Sequence, residues 1–164
     1  MRRHLLNFLL LLPALSFALP EDQMQAMHIV AASSHFNYKT GINSYEGDVK
    51  IDQGTTHLTA DRLITKNDAH HKMEEATAYG IKNPAIYTTT PKIGDDLLRA
   101  KANMIKFYPQ QSLVHLEGNV VITQAESSFQ GPVIIYNMKN QIVTAPALKN
   151  GRATILIQPK HLKT

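Results

Sequence analysis

The chain has 164 residues, no cysteine and a formal net charge of +4 at neutral pH. The lack of cysteine excludes disulfides and an acylated lipoprotein terminus. No Lys/Arg run and no interleaving of basic and aromatic residues is present, which argues against nucleic acid as a partner.

The N-terminal stretch has the three parts of a secretory signal peptide. Two arginines precede an apolar core at residues 5–15, and Ser16-Phe17-Ala18 supplies small residues for a cleavage site. A retained membrane anchor is the alternative, but a span needs about 20 apolar residues, and Pro20 ends the apolar run too early. We therefore expect residues 1–18 to be a cleaved signal peptide and residues 19–164 to form a single domain.

Strand-like segments separated by turn signals follow one another along the rest of the chain. No window shows a sustained apolar period of 3.6 residues, so we expect an all-β fold. The predicted strands are residues 27–31, 36–38, 45–53, 58–65, 74–79, 85–89, 97–107, 112–124, 128–136, 141–146 and 153–158.

One stretch occurs twice, 71 residues apart. Residues 46–53 (EGDVKIDQ) and 117–124 (EGNVVITQ) agree at five of eight positions. In the first copy apolar and polar residues alternate, which is typical of a strand with one buried face. Further identities at the same offset, such as Phe36 with Phe107 and Gly80 with Gly151, favour two repeats of about 71 residues.

A second pattern occurs four times: a small residue, then a pair of residues three and five positions later, usually ending in an aromatic. The small residue and the pair differ in strand parity, and a β-bulge after the small residue would turn both inward. Such bulges favour a curled or stacked sheet. The four instances are Ala31/Ser34/Phe36, Ala60/Leu63/Thr65, Ala102/Ile105/Phe107 and Gly131/Ile134/Tyr136.

Several short motifs, in order and behind a signal peptide, resemble the LptA/OstA-like family of periplasmic lipopolysaccharide-transport proteins. The loops around Lys72 and Lys92 have no counterpart in the resemblance. The motifs are His28-Ile29, residues 47–54, Ala60-Asp61, Tyr79-Gly80 with Pro84-Ala85, residues 116–119, Gly131-x-x-Ile134-x-Tyr136 and Ile157-x-Pro159.

The resemblance implies an open β-jellyroll of consecutive antiparallel strands in the periplasm. It also implies head-to-tail stacking, transport of lipopolysaccharide, and two partners: an inner-membrane-anchored relative and the N-terminal domain of the outer-membrane translocon. The residues allow the same function, since a curled sheet with one apolar face leaves a groove suited to the acyl chains of lipid A. No nucleotide-binding motif is present, so the energy for directional movement must come from a partner.

The candidate lipid-binding residues are those that strand parity and the bulges turn inward. Ordinary core packing is the alternative for each of them, and the resemblance favours Tyr87 and Phe107. The candidates are Ile29, Phe36, Tyr38, Val49, Ile51, Leu58, Tyr87, Ile105, Phe107, Ile122, Ile134 and Tyr136.

The first and last predicted strands have no charged residue in their apolar cores. Unprotected edges of this kind invite another chain to pair, so we expect the N-terminal edge of one molecule to pair with the C-terminal edge of the next. The edge residues are Met27, His28, Ile29, Val30, Ile155, Leu156 and Ile157.

No catalytic, metal or cofactor site is predicted. Adjacent His70 and His71 lie in a polar stretch without ligand spacing, and no serine has a nucleophile-elbow setting. Asp61 is interpreted as a turn or bulge residue, because the three equivalent positions lack the carboxylate.

Three alternatives remain open. A membrane-anchored relative of the same pathway would keep residues 1–19 as an anchor. A structural β-scaffold would have a fully packed interior, and an enzyme acting on lipopolysaccharide would need a clustered acid–base pair.

Overall fold

The protein is described by a computed structural model that covers Asp22 and residues 24–91, 94–140, 142–149 and 151–157. The predicted signal peptide at residues 1–18 lies outside this part of the chain. The all-β prediction is confirmed. The strands are β1 (His28–Val30), β2 (Ser33–Asn37), β3 (Ile42–Gln53), β4 (Thr56–Asn67), β5 (Met73–Tyr79), β6 (Ala85–Thr89), β7 (Leu98–Ala102), β8 (Met104–Tyr108), β9 (Leu113–Gln124), β10 (Ser127–Asn137), β11 (Ile142–Thr144) and β12 (Thr154–Leu156).

The strands form one antiparallel sheet that folds over itself into two layers, as in an open jellyroll. Four long strands (β3, β4, β9 and β10) bend halfway and contribute one half to each layer. In layer 1 the order is β2, β3, β4, β5, β8, β9, β10, β11. In layer 2 it is β1, β3, β4, β6, β7, β9, β10, β12.

The bends come from left-handed residues in the repeated stretch. Gly47 and Gly118 have φ angles of 78° and 77°, and the residues that follow them, Asp48 and Asn119, are also at positive φ. The pairing register shifts there, with one extra residue on β3 and on β9. The predicted bulges therefore exist, but they lie on the Glu-Gly-Asp/Asn-Val strands. The prediction that they follow Ala31, Ala60, Ala102 and Gly131 on the facing strands is wrong.

The core lies between the two layers and is tightest beside the bends. Leu63, Leu116, Ile134, Val49 and Val120 are the largest fully buried side chains, and all of them lie within a few residues of a bend. A hydrogen bond from Asn103 N to Gly118 O (2.8 Å), and the equivalent one from Ala32 N to Gly47 O (2.9 Å), join the short strands to this closed side.

Asp61 supports the closed side from outside the core. Its carboxylate accepts hydrogen bonds from the backbone N–H groups of Ile81 (2.6 Å), Lys82 (2.5 Å) and Asn83 (3.1 Å). The interpretation of Asp61 as a turn or bulge residue is confirmed, since it holds the loop between β5 and β6 against the bend of β4.

Candidate ligand-binding groove

Away from the bends the two layers diverge and leave a cavity of about 330 Å³. Small inward-facing side chains at Ala76 and Ala78 of β5 leave room in layer 1. Leu58 and Tyr87 face them from layer 2, and Ile105 and Phe107 complete the apolar wall. The cavity is therefore a groove along the open side of the jellyroll, between the two layers of the sheet.

Seven of the twelve candidate lipid-binding residues line this groove. They come from six different strands, so that no single segment of sequence forms the site. That these side chains contact lipid stays a prediction. The seven are Ile29, Ile51, Leu58, Tyr87, Ile105, Phe107 and Tyr136.

Three further candidates point inward but do not line the cavity. Val49, Ile122 and Ile134 are at most 3% exposed and pack within the core. Strand parity separates inward from outward residues, but it does not separate the filled part of the interior from the open part.

Phe36 and Tyr38 lie elsewhere. Strand β2 ends at Asn37, whose Oδ1 accepts a hydrogen bond from Lys39 N (3.1 Å) and turns the chain away from the sheet. Tyr38 is consequently 87% exposed, and the expectation that it points inward is wrong. The Phe36 ring is 47% exposed and lies edge-on to Tyr45, with centroids 5.6 Å apart, at the open end of layer 1.

Several groove residues were not predicted. Met73 and Met138 lie at the ends of strands, beside turns, and Thr56 and Thr89 are polar residues at inward positions. The inward alanines were missed because alanine carries no strong hydrophobic signal. Alternation within β5, where Ala76 and Ala78 share a parity, was the signal that could have found them.

Two tyrosines give the groove neutral polar groups. Burial raises the pKa of both Tyr87 and Tyr136, so each phenol stays protonated at physiological pH. The Tyr87 hydroxyl reaches across the groove to Sδ of Met138, 4.0 Å away. Beside it, the hydroxyls of Thr56 and Thr89 are 3.0 Å apart.

A buried carboxylate closes one end of the groove. Asp22 is 8% exposed, and its two oxygens accept hydrogen bonds from Thr55 N (3.0 Å) and from the Thr55 hydroxyl (2.6 Å). Gln53 Nε2 also donates to the carbonyl of Gln25 (3.1 Å). The segment before β1 is thereby held against the turn between β3 and β4.

The free edges carry most of the exposed apolar surface. Within the described residues, β1 pairs only with β3, and β12 pairs only with β10. Layer 1 has edges of its own, β2 and β11, which were not predicted. Of the thirteen large hydrophobic side chains that are exposed among the described residues, eleven lie on or beside these four strands: Met24, Met27, Val30, Phe36, Tyr38 and Ile42 at the N-terminal edge, and Ile142, Leu148, Ile155, Leu156 and Ile157 at the C-terminal edge.

The described residues contain no grouping of three or more His, Asp or Glu side chains that could hold a metal ion. His70 and His71 are exposed in the turn after β4. No helix in the described part of the chain is long and apolar enough to cross a membrane.

Comparison with protein families identifies the chain. The family model described as "LptA/(LptD N-terminal domain) LPS transport protein" matches residues 28–142, which span both layers and the groove. The chain belongs to this LptA/LptD N-terminal domain family. The fold described above is therefore that of a lipopolysaccharide transport family.

Individual relatives agree with this assignment. The lipopolysaccharide export system protein LptH of Pseudomonas aeruginosa is 30% identical over 154 residues, covering 90% of this chain and 87% of LptH. LptA of Escherichia coli K12 is 26% identical over 149 residues, covering 90% of this chain and 79% of LptA. The crystal structure of the P. aeruginosa LptH, described as the periplasmic component of a lipopolysaccharide transport device, superimposes with a TM-score of 0.78. That match covers 85% of this chain and all of the LptH chain.

Proposed function

We propose that this protein is a non-enzymatic periplasmic carrier of lipopolysaccharide, which binds the acyl chains of lipid A in the groove. In this proposal residues 1–18 direct export as a signal peptide and are then cleaved. The observation that carries the proposal is the groove itself, an apolar cavity of about 330 Å³ between the two layers of the sheet. A fully packed scaffold would have no such space. The family membership supports the same cargo.

The chemistry of the lining suits hydrocarbon. Transfer of a methylene group from water contributes about 0.8 kcal/mol, so burial of about ten methylenes contributes about 8 kcal/mol, comparable with a micromolar dissociation constant. The neutral phenols of Tyr87 and Tyr136 add no charge that would oppose this burial. Methionines at the rim, Met73 and Met138, are flexible enough to adapt to chains of different length.

Photo-crosslinking in living cells tests the cargo. A photoreactive amino acid is placed at Phe107, which lines the groove, or at neighbouring Lys106, whose side chain lies on the opposite face of β8. We expect an adduct with lipopolysaccharide at position 107 and none at position 106. Absence of adducts at both positions in a folded, exported protein would favour the packed scaffold, and equal labelling would contradict a specific groove.

The carrier also stacks head to tail in this proposal, and thereby links an inner-membrane-anchored relative to the N-terminal domain of the outer-membrane translocon. Each layer has eight antiparallel segments, so its two edge strands run in opposite directions. Placing β12 of one copy beside β1 of the next, and β11 beside β2, therefore continues the antiparallel pairing in both layers. Head-to-tail addition also keeps the open sides aligned, which would join the grooves of neighbouring copies.

A lysine on one edge strand tests the stacking. Ile155 of β12 is 55% exposed, and a charge there should block strand addition, as lysines do on natural edges. Ile81 is 71% exposed but lies off both edges, so Ile81→Lys is the matched control. We expect sedimentation velocity to show concentration-dependent assembly for the wild type and for Ile81→Lys, and a shift to monomer for Ile155→Lys. An equal shift for both variants would contradict edge-to-edge stacking.

A further inference from the structure

The open side of the groove is bordered by two rims, which are defined by the turns at the ends of the strands. The rim of layer 1, named here the basic rim, consists of the turns at residues 38–41, 68–72, 109–112 and 138–140. The rim of layer 2, named here the acidic rim, consists of Asp22 and the turns at residues 54–55, 94–97 and 125–126.

The two rims carry opposite charge. Lys39, Lys72 and Lys139 lie on the basic rim, where the one carboxylate is Asp68. The acidic rim carries four carboxylates and, among its described residues, no lysine or arginine; Lys92 lies outside the described residues. The four acids are Asp22, Asp95, Asp96 and Glu126.

Two of the basic-rim lysines adjoin the groove. Lys139 lines the main cavity, next to Met138. Lys72 lines a second hollow of about 380 Å³, which shares Met73 and Phe107 with the main cavity. The two hollows also share Met27 and Gln53, so they are continuous at the mouth of the groove, and a lysine of the basic rim lines each of them.

The turns that carry these lysines are held by side chains that cap them. Oδ1 of Asp68 accepts hydrogen bonds from His70 N (2.8 Å) and Lys72 N (2.9 Å), and Oδ2 accepts one from Gln110 Nε2 (3.1 Å). Asn137 Oδ1 does the same for Asn140 N (3.0 Å). The only carboxylate of the basic rim is thus engaged in hydrogen bonds with backbone and amide groups.

Neither lysine forms an ion pair within the described part of the chain. The ion pairs found there involve the basic side chains of Lys50, His57, Arg62 and Lys66. The ammonium groups of Lys72 and Lys139 are therefore available to an external anion, which lysine binds as a compact point charge.

The acidic rim faces the groove as well. The negative charge of Asp95 raises the pKa of Tyr136, in addition to the effect of burial, so this carboxylate lies within electrostatic reach of the groove lining. An anion at the mouth of the groove is consequently attracted to one side and repelled from the other. Physiological salt screens charges over about 8 Å, so the two rims act mainly on an anion that sits at the mouth of the groove.

We propose that the basic rim, through Lys72 and Lys139, is the seat of the phosphorylated headgroup of the lipid, and that the acidic rim fixes the orientation of the headgroup by repelling it. The proposal rests on the proposed function, because it assigns a polar subsite to the same groove. The lipid lies in one orientation: acyl chains between the layers, and phosphates against the turns at residues 68–72 and 138–140.

Paired variants and paired lipids test this assignment. The double variant Lys72→Gln/Lys139→Gln removes both charges and keeps the backbone amides that the capping side chains bind. The control Lys101→Gln/Lys106→Gln has the same net charge but alters outward-facing positions of β7 and β8. Each full-length mature protein is titrated with diphosphoryl lipid A and with the same lipid lacking both phosphates, at low and at high ionic strength.

For the phosphorylated lipid at low salt we expect the rim variant to bind about five- to tenfold more weakly than the control. The difference should shrink at high salt, and the dephosphorylated lipid should bind both variants equally. Equal affinities of rim variant and control for the phosphorylated lipid, or an equal loss with both lipids, would overturn the headgroup seat and leave the groove proposal intact. Failure of the wild type to bind either lipid would overturn both proposals.

Discussion

The closed and open sides of this jellyroll are made from the same strands but differ in packing. On the closed side the strands bend at Gly47 and Gly118, and side chains such as Leu116 and Ile134 are at most 1% exposed. On the open side the layers separate around a cavity, and the turns along its rims carry charged side chains. The middle of each long strand is therefore packed for stability, and its two ends are left available for a ligand.

This difference explains how a protein of this size can hold a hollow without disulfides. A cavity costs dispersion contacts and hydrophobic burial, and here the cost falls on one side of the sheet only. The closed side compensates with fully buried valine, leucine and isoleucine, and with backbone hydrogen bonds across each bend. The comparison predicts that matched substitutions on the two sides have different effects.

The largest difference is expected for two leucines. Leu116 is 1% exposed and lies off the cavity, whereas Leu58 is half-buried and lines the groove. Leu116→Ala should lower the free energy of unfolding by about 3 kcal/mol, because it creates a new cavity in a packed region. Leu58→Ala should cost about 1 kcal/mol, because its side chain already faces a hollow.

Urea unfolding followed by circular dichroism measures both values. The slope of free energy against urea concentration should stay the same, which would show that only stability has changed. Equal losses for the two variants would mean that the groove wall is packed as tightly as the closed side.

A second pair separates crowding from backbone strain. Gly47 and Gly94 both have a positive φ, but a Cβ at Gly47 would lie 2.8 Å from Cβ of Ala32, whereas one at Gly94 would meet nothing within 4 Å. Gly94→Ala should therefore cost about 1 kcal/mol, from the left-handed conformation alone. Gly47→Ala should cost about 2 kcal/mol, since overpacking adds to the strain.

Thermal and urea unfolding of a double variant sharpens this prediction. Ala32→Gly removes the contacting Cβ. The double variant Ala32→Gly/Gly47→Ala should therefore lose less unfolding free energy than the two single variants lose in sum, because the crowding is relieved. Additive losses would show that crowding at the bend contributes nothing.

The sequence predicted the architecture better than the site. The alternation of apolar and polar residues in 46–53 depends only on the local pleat, and it correctly indicated a strand with one buried face. The side of the ladder that carries the bulge depends on the pairing partner, which explains why the extra residue lies at Gly47-Asp48 and not after Ala60.

The groove residues were predictable only in part, for a related reason. Val49 and Ile51 have the same parity and similar chemistry, yet only Ile51 lines the cavity, because it lies farther from the bend. Distance from the bend is a three-dimensional property. Tyr38 was predicted wrongly because the cap formed by Asn37 ends β2 one residue earlier. The charge of the two rims could not be predicted, because it depends on which turns lie in the same layer.

The smallest effect is expected from acid titration of two capping carboxylates, one on each side. Hydrogen bonds from the backbone N–H groups of Lys82, then Asn83 and Ile81, lower the pKa of Asp61 on the closed side. On the open side the backbone N–H of Lys72, followed by that of His70, lowers the pKa of Asp68. In both cases the folded state favours the ionised form.

The sign of the pH dependence follows from this direction. A carboxyl whose pKa is lower in the folded state stabilises the fold fully above its unfolded pKa of about 3.9, and the contribution disappears as the pH falls through the lower folded value. The difference in unfolding free energy between the wild type and Asp61→Asn should be constant from about pH 7 to pH 5 and decrease below that. Asp61 joins β4 to a loop about twenty residues away, whereas the backbone bonds of Asp68 stay within its own turn. Urea unfolding at several pH values should therefore show that the difference in unfolding free energy between wild type and variant decreases more for Asp61→Asn than for Asp68→Asn. The reverse order would mean that the turns of the basic rim contribute more to global stability than the closed side does.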